Sequence, residues 1–128
     1  MGEKPIFPDG KQSGRPYSPG LEANGFLFIS GQLALGSDGK LIRGDIQAMT
    51  RQCLENVAKV LKTAGCGIQD VVKTTIFLKD MADFDMVNQA YADFFKGTVF
   101  PARSCVQVAA LPLNADIEIE AIAQIPSL

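Results

Sequence analysis

The 128-residue sequence contains no histidine. Histidine is the usual general base that activates a serine or cysteine nucleophile, and it is the commonest metal ligand in proteins. Its absence excludes Ser-His and Cys-His catalysis. Any catalysis must therefore use carboxylates, arginine, lysine, tyrosine, hydroxyls, thiols or backbone groups.

Cysteine and positive charge are also scarce. The three cysteines, Cys53, Cys66 and Cys105, are odd in number and form no Cys-x-x-Cys pair. This pattern predicts neither a disulfide framework nor a thiolate metal site. The formal net charge is -2 and the pI is about 5.0, and no basic stripe follows the chain, so nucleic acid is not expected as a partner.

Long apolar runs are missing as well. No charged-then-apolar segment of the signal-peptide type opens the chain, and no apolar stretch approaches the length of a membrane span. Together with the unpaired thiols, this predicts a cytoplasmic protein that has no membrane partner. The length, with 47% hydrophobic and 20% charged residues, is typical of one domain over residues 1–128.

The first third of the chain is irregular and then strand-like. Residues 1–21 are rich in Gly, Pro, Ser and Lys, which predicts an irregular N-terminal arm. The apolar stretch 25–35 predicts a strand. The turn signal Asp38-Gly39 predicts that residues 40–42 return as a second short strand.

Two later segments show the periodicity of amphipathic helices. Apolar residues recur at three- and four-residue steps across 45–64, and a second stripe runs from Phe84 to Phe95 before Gly97. Three further segments are strand-like: 71–78, 103–110 and 117–123.

The resulting order, ββαβαββ, predicts an α+β fold in which a mixed sheet carries both helices on one face. Two helices cannot cover the other face, and its residues are not uniformly polar. We therefore expect the chain to self-associate and to cover this face with another copy.

Alternation along the last two strands separates their charged and apolar side chains. In the first strand, Arg103 and Cys105 share one face, and the alternate residues that begin at Ser104 are expected to face the core. In the second strand, Glu118 and Glu120 lie opposite the isoleucines. We expect the polar sets of both strands to lie together, on the side of the sheet away from the helices.

Each of these groups also has an ordinary structural interpretation. An arginine near glutamates on adjacent strands is often only an ion pair of little energetic value. Cys105 alone is more often a small buried apolar residue than a reactive thiol. The Ser30-Gly31 pair inside a strand by itself indicates a bulge or close packing.

Taken together, the same groups indicate a site. A guanidinium fork matches a carboxylate, and a glutamate against an apolar wall has a raised pKa and exchanges protons with water. Backbone groups near Ser30-Gly31 and Cys105 can orient that water. The sequence therefore predicts a site that binds a small carboxylic acid and hydrates an adjacent electrophilic carbon.

The motifs that carry these residues resemble one known family. "PARSCVQVAALPLNADIEIEA" closely resembles the signature segment of the Rid (YjgF) family of reactive-intermediate deaminases, and "RPYSPG", "FISGQLAL" and "VVKTTIFLKDMADFDMVNQAY" follow the order typical of that family. The resemblance implies a chorismate-mutase-like fold and a homotrimer with ligand clefts between subunits. It also implies hydrolysis of enamines and imines, such as 2-aminoacrylate, 2-iminopropanoate and 2-iminobutanoate, to 2-keto acids and ammonia without metal or cofactor.

The resemblance also assigns residues. Arg103 matches the arginine that binds the substrate carboxylate, and Cys105 matches the cysteine whose backbone helps to hold the attacking water. Glu118 matches the glutamate that activates water or relays protons. Four further positions match residues that line the cleft: Tyr17, Ser30, Gly31 and Asn88.

Two departures from the family pattern bear on specificity. The family usually has Gly-Pro-Tyr-Ser-Gln where this chain has Arg15 to Pro19, and the connection before Arg103 is a residue or two shorter than usual. Two other functions stay open for such a chain. One is an endoribonuclease that acts on single-stranded RNA, and the other is a non-catalytic trimer that binds small carboxylates.

Overall fold

A computed structural model of the chain describes residues 2–10 and 14–127. Residues 1, 11–13 and 128 of the predicted domain lie outside this part. Within it the chain forms two α-helices and six β-strands, in the order β1 (Lys4–Ile6), β2 (Gly20–Ala23), β3 (Phe26–Gln32), α1 (Ile46–Thr63), β4 (Val71–Leu78), α2 (Phe84–Phe94), β5 (Ala102–Gln107) and β6 (Ile117–Gln124).

The strands form one mixed sheet in the order β1-β2-β3-β6-β4-β5. Only the β4–β5 pair is parallel, and α2 is the crossover that connects those two strands. All other neighbours are antiparallel. The predicted α+β fold with a mixed sheet is confirmed, and β5 lies at one edge.

Both helices pack on the same face of the sheet. Asp45 caps α1, and its side chain accepts hydrogen bonds from the backbone N–H groups of Gln47 and Ala48. Gly65, just beyond the helix, adopts φ 79°, a left-handed conformation that suits glycine at a helix end. The helices and the inward strand positions share one core, whose large buried side chains include Leu27, Leu54, Leu61, Ile76, Phe95 and Ile119.

The predicted irregular arm over residues 1–21 is wrong at two points. Lys4–Ile6 and Gly20–Ala23 are paired antiparallel strands that extend the sheet beyond β3. Ile6 is only 4% exposed and joins the core. Both strands are too short, and too rich in Gly and Pro around them, to show a period-2 pattern in the sequence.

The predicted return strand over 40–42 is also wrong. This segment makes a single bridge, between Leu35 and Leu41. The backbone N–H of Ile42 donates to the Ala34 oxygen at 2.9 Å beside this bridge. The pairing does not extend further, so the segment forms a bridge rather than a strand.

The face of the sheet away from the helices is partly apolar and uncovered in the single chain. Phe28 of β3 is 44% exposed and Val106 of β5 is 43% exposed. Phe28 pairs with Ile122 of β6 on this side of the sheet. We refer to this surface as the open face. None of the helices in the described part of the chain is long and apolar enough to span a bilayer.

Gly20 of β2 provides a test of this packing. A Cβ at this position would lie 2.6 Å from Cγ1 of Val60 on α1. We expect Gly20→Ala to lower the free energy of unfolding by about 1–3 kcal/mol, as is usual for overpacking a core. Urea denaturation at one protein concentration measures this loss.

The Val60→Ala background is the control for this test, because it removes the methyl group that the new Cβ would meet. We expect Gly20→Ala to cost less in that background than in the wild type. An equal cost in both backgrounds would contradict the packing described for Gly20.

Candidate functional site

Arg103 on β5 lies against α2. Its Nη1 donates a hydrogen bond of 2.7 Å to Oδ1 of Asn88. The guanidinium carbon is 5.0 Å from the centre of the Tyr91 ring and 5.6 Å from that of Phe84. Within residues 2–10 and 14–127, Arg103 makes no ion pair with a carboxylate. The half-buried cation is thus held in place by neutral groups.

The strand register places Arg103 on the helix side of the sheet. Arg103 pairs with Thr74 of β4, which is fully buried and hydrogen-bonded to the Tyr91 hydroxyl at 2.6 Å. Cross-strand partners point to the same side, so Arg103 and Cys105 share the helix-facing side. The prediction that the alternate residues beginning at Ser104 face the core is wrong, since Ser104 and Val106 are exposed.

Glu118 lies on the other side of the sheet. Its neighbours Ile117 and Ile119 are buried in the core, so alternation directs Glu118 to the open face. Its partner on β4 is Phe77, three residues beyond Thr74, the partner of Arg103. The prediction that Arg103 and the glutamates share one face is wrong within a single chain.

Glu118 lines a cavity of about 540 Å³, and three more of the predicted site residues line the same cavity: Tyr17, Ser30 and Gly31. The β3–β6 register shifts between Ile29 and Gln32, so Ser30-Gly31 forms the irregularity that its sequence indicates. The Ser30 hydroxyl donates to the Ser18 backbone oxygen at 2.7 Å, which ties the cavity wall to the N-terminal segment.

Gly31 is the residue that makes room for the Glu118 side chain. A Cβ on Gly31 would lie 2.7 Å from Cδ and 2.8 Å from Oε2 of Glu118. Atoms this close cannot coexist without displacement. The carboxyl group therefore packs directly over a glycine backbone, which explains physically why a glycine interrupts an apolar strand here.

Burial raises the pKa of one predicted site residue on each side of the sheet. Burial, and secondarily the nearby Glu120 carboxylate, raises the pKa of the Glu118 carboxyl group. This shift favours the protonated acid and suits a group that exchanges protons with water. Burial also raises the pKa of the Cys105 thiol, although Arg103 opposes the shift. The Cys105 side chain is thus a poor nucleophile near neutral pH.

The seven predicted site residues therefore fall into two groups. Arg103, Cys105 and Asn88 form a helix-side group between β5 and α2. The other four residues form the open-face cavity group: Tyr17, Ser30, Gly31 and Glu118. No group of three Cys, Asp or Glu residues in the described segments is arranged to hold a metal ion.

Pro112 and Leu113 form the far wall of the cavity, which the sequence patterns did not predict. Leu113 and Asn114 both have left-handed φ values, 58° and 54°. Arg43 donates to the backbone oxygens of these two residues at 3.0 and 3.4 Å. The Leu-Pro-Leu-Asn turn signal was visible in the sequence, but its partner lies about 70 positions away and left no local signal.

The chain is similar in sequence to known proteins. The family profile described as Endoribonuclease L-PSP matches residues 11–125. The Escherichia coli 2-iminobutanoate/2-iminopropanoate deaminase is 44% identical over 110 residues, which cover 84% of this chain and 86% of that protein.

Solved structures extend the similarity to the fold. The Rid-family protein YyfA from Yersinia pestis superimposes with a TM-score of 0.91 at 44% identity, covering 97% of this chain and 100% of its own. Escherichia coli TdcF, solved with bound serine, gives a TM-score of 0.88 at 36% identity and covers 96% of this chain and 99% of its own. The chain belongs to the Rid (YjgF) family, whose profile carries the description endoribonuclease L-PSP.

Proposed function

We propose that this protein is a hydrolytic deaminase that converts enamines and imines of small amino acids to 2-keto acids and ammonia. The names of the relatives support this substrate class. The observation that carries the proposal is Arg103, a half-buried guanidinium that an amide and two aromatic rings orient and that no carboxylate neutralises among the described residues. Such a group suits the carboxylate that every substrate of this class carries.

The working site requires two copies of the chain. Arg103 and Glu118 lie on opposite sides of one sheet, so their side chains cannot meet around one substrate within a single copy. A second copy packed against the open face can bring its Arg103 group to the Glu118 cavity. Burial of Phe28 and Val106 would stabilise that contact. We propose a homotrimer with one site at each interface, in keeping with closed cyclic symmetry.

The reaction needs little beyond positioning and proton transfer. The imine carbon next to the carboxylate is electrophilic, and water adds to it to form a carbinolamine. A proton then moves to the nitrogen, ammonia leaves, and the keto group forms. Arg103 holds the carboxylate and thereby fixes the imine carbon beside the water.

Glu118 is the group that transfers these protons. Its raised pKa allows the protonated acid to give a proton to the enamine carbon or imine nitrogen, and the resulting carboxylate to accept one from water. We assign the Cys105 backbone, rather than its thiol, to holding the water, since burial keeps that thiol protonated. The free thiols Cys53, Cys66 and Cys105 suit a reducing compartment, and we place the protein in the cytoplasm.

A coupled assay tests the activity and the role of Arg103. An amino-acid oxidase or dehydratase generates the imine, and release of keto acid is timed with and without the protein. We expect the wild type to accelerate release. We expect Arg103→Lys to lose about ten- to a hundredfold in kcat/KM, because lysine keeps the charge but loses the planar fork and its charged hydrogen bonds.

Arg51→Lys is the matched control for this substitution, because Arg51 is an exposed arginine of α1 outside both residue groups. No acceleration by the wild-type protein would refute the proposed activity. Full activity of Arg103→Lys would show that charge alone suffices at this position.

Subunit mixing tests the division of the site between copies. We expect Arg103→Ala and Glu118→Gln each to be nearly inactive. Trimers refolded from an equimolar mixture of the two should regain about a quarter of the sites, because each cyclic interface takes one residue group from each neighbour. Light scattering checks that all samples are trimeric. A monomeric wild type, or mixed trimers with no recovered activity, would rule out the shared site.

The close approach of Glu118 to Gly31 gives another expectation. Gly31→Ala should displace the carboxyl group and lower kcat by about a hundredfold, the usual cost of misplacing a catalytic group by ~1 Å. Gly36→Ala is the control, since Gly36 lies shortly after β3 and outside the cavity lining. Comparable kcat values for the two variants would show that the position of Glu118 does not limit turnover.

A further inference from the structure

Two large apolar side chains are exposed side by side on the connection between α2 and β5. Val99 is 90% exposed and Phe100 is 57% exposed. They lie within a segment, 97–102, that contains no charged residue. We refer to Val99 and Phe100 as the tip. Adjacent apolar side chains that the chain itself leaves in water mark a contact surface more often than isolated ones do.

The tip is fixed to the core of its own copy. The backbone N–H and the side-chain hydroxyl of Thr98 both donate to the backbone oxygen of Phe95, at 3.0 and 2.8 Å. Phe95 is only 1% exposed, and Pro101 restricts the backbone on the other side of the tip. The tip therefore loses little conformational freedom when it contacts another surface, which favours binding.

The proposed shared site requires a contact between two different surfaces. In a closed ring of three copies, each interface joins one surface of a copy to a different surface of its neighbour. The open face with Glu118 is one of these surfaces, and the other carries Arg103. Three residues of chain span at most about 11 Å, so the backbone of Phe100 lies within that distance of the backbone of Arg103. A neighbour that receives Arg103 therefore has the tip within its reach.

The two surfaces are complementary in polarity and in charge. The cavity on the open face is lined in part by Tyr17, which is 50% exposed, and by Leu113, which is 63% exposed. We refer to these two side chains as the cavity rim, and both offer apolar contacts to the tip. Glu120 is exposed on the same side of the sheet, whereas Lys96 and Arg103 flank the tip. Opposite charges on the two surfaces favour this pairing over a contact between two open faces.

We propose that the tip of one copy docks on the cavity rim of the neighbouring copy and forms the apolar anchor of each interface. This inference rests on the proposed function, in which Arg103 and Glu118 of neighbouring copies form one site. The anchor lies three residues before Arg103, so it aligns the guanidinium of one copy with the Glu118 cavity of the next.

Replacing the apolar contact by an ion pair tests this docking without any measurement of turnover. Light scattering over a dilution series gives the protein concentration at which half of the trimer dissociates. We expect Phe100→Glu to raise this concentration at least about tenfold, because it places a carboxylate in an apolar contact close to the neighbour's carboxylates. Leu113→Lys should also raise it.

The two substitutions in one chain should recover most of the loss. At every interface of a cyclic trimer, the introduced carboxylate of one copy then meets the introduced ammonium group of the next. Such recovery is a coupling between the two positions, and two substitutions that act separately would instead add their effects.

Met86→Glu is the matched control, because Met86 is an apolar residue of α2 that is 46% exposed and lies outside the tip and the cavity lining. It should dissociate like the wild type. Val99→Glu provides a second tip variant, since a side chain that is 90% exposed contributes almost nothing to the core of its own copy. It should weaken the trimer as Phe100→Glu does, and circular dichroism checks that all variants are folded.

Each other outcome decides a separate point. Wild-type dissociation of both Phe100→Glu and Val99→Glu overturns the docking of the tip. A combined variant that dissociates as readily as the two losses added together overturns the contact with Leu113. A monomeric wild type overturns the docking and the proposed trimer together. A trimer that the tip variants dissociate, in a protein that hydrolyses no imine, supports the docking and refutes only the deaminase function.

Discussion

The hydrogen-bond register of β4 with the strands on both of its sides determines on which side of the sheet Arg103 and Glu118 lie. Thr74 pairs with Arg103 on β5 and with Ala121 on β6, so these three residues face the helices. Phe77 lies three positions after Thr74 on β4, so it faces the opposite side of the sheet. Its partner on β6, Glu118, faces that side as well. A slip of one residue in either pairing would exchange the faces and destroy both the core and the site.

Each half of the site is built by its own local packing. On the helix side, α2 supplies Asn88, Tyr91 and Phe84, which hold the guanidinium of Arg103 without neutralising it. On the open face, the absence of a side chain at Gly31, within a strand irregularity, leaves room for the Glu118 carboxyl group close to the backbone. The sheet separates Arg103 from Glu118 within one copy. In the proposed function a second copy supplies the missing half, which links activity to assembly.

Two residues at the cavity wall have strained backbone conformations that other side chains stabilise. Leu113 and Asn114 occupy the left-handed region, which costs on the order of 1–3 kcal/mol for a non-glycine residue. Arg43 binds both of their carbonyl oxygens, and Lys79 donates to Oδ1 of Asn114 at 2.6 Å. These hydrogen bonds offset the strain and hold Leu113 at the cavity.

The sequence alone determined both helices and the central strands, and its motifs indicated the type of chemistry. Helical periodicity predicted α1 and α2, a short β-branched run predicted β4, and the strand-like segment 117–123 predicted β6 almost to the residue. The motif around Arg103 and Glu118 pointed to the family and to the type of reaction. Such signals are local, because a helix stripe or a strand alternation is written within ten to twenty consecutive residues.

Only the tertiary structure decided which sides these residues occupy. Alternation tells which side chains of one strand share a face, but register and the covering helices decide which face that is. For this reason the helix-facing position of Arg103, the strands in the N-terminal segment and the cavity wall at Leu113 were not predicted. Each depends on partners about 15 to 70 positions away, and no local pattern in the sequence encodes such pairings.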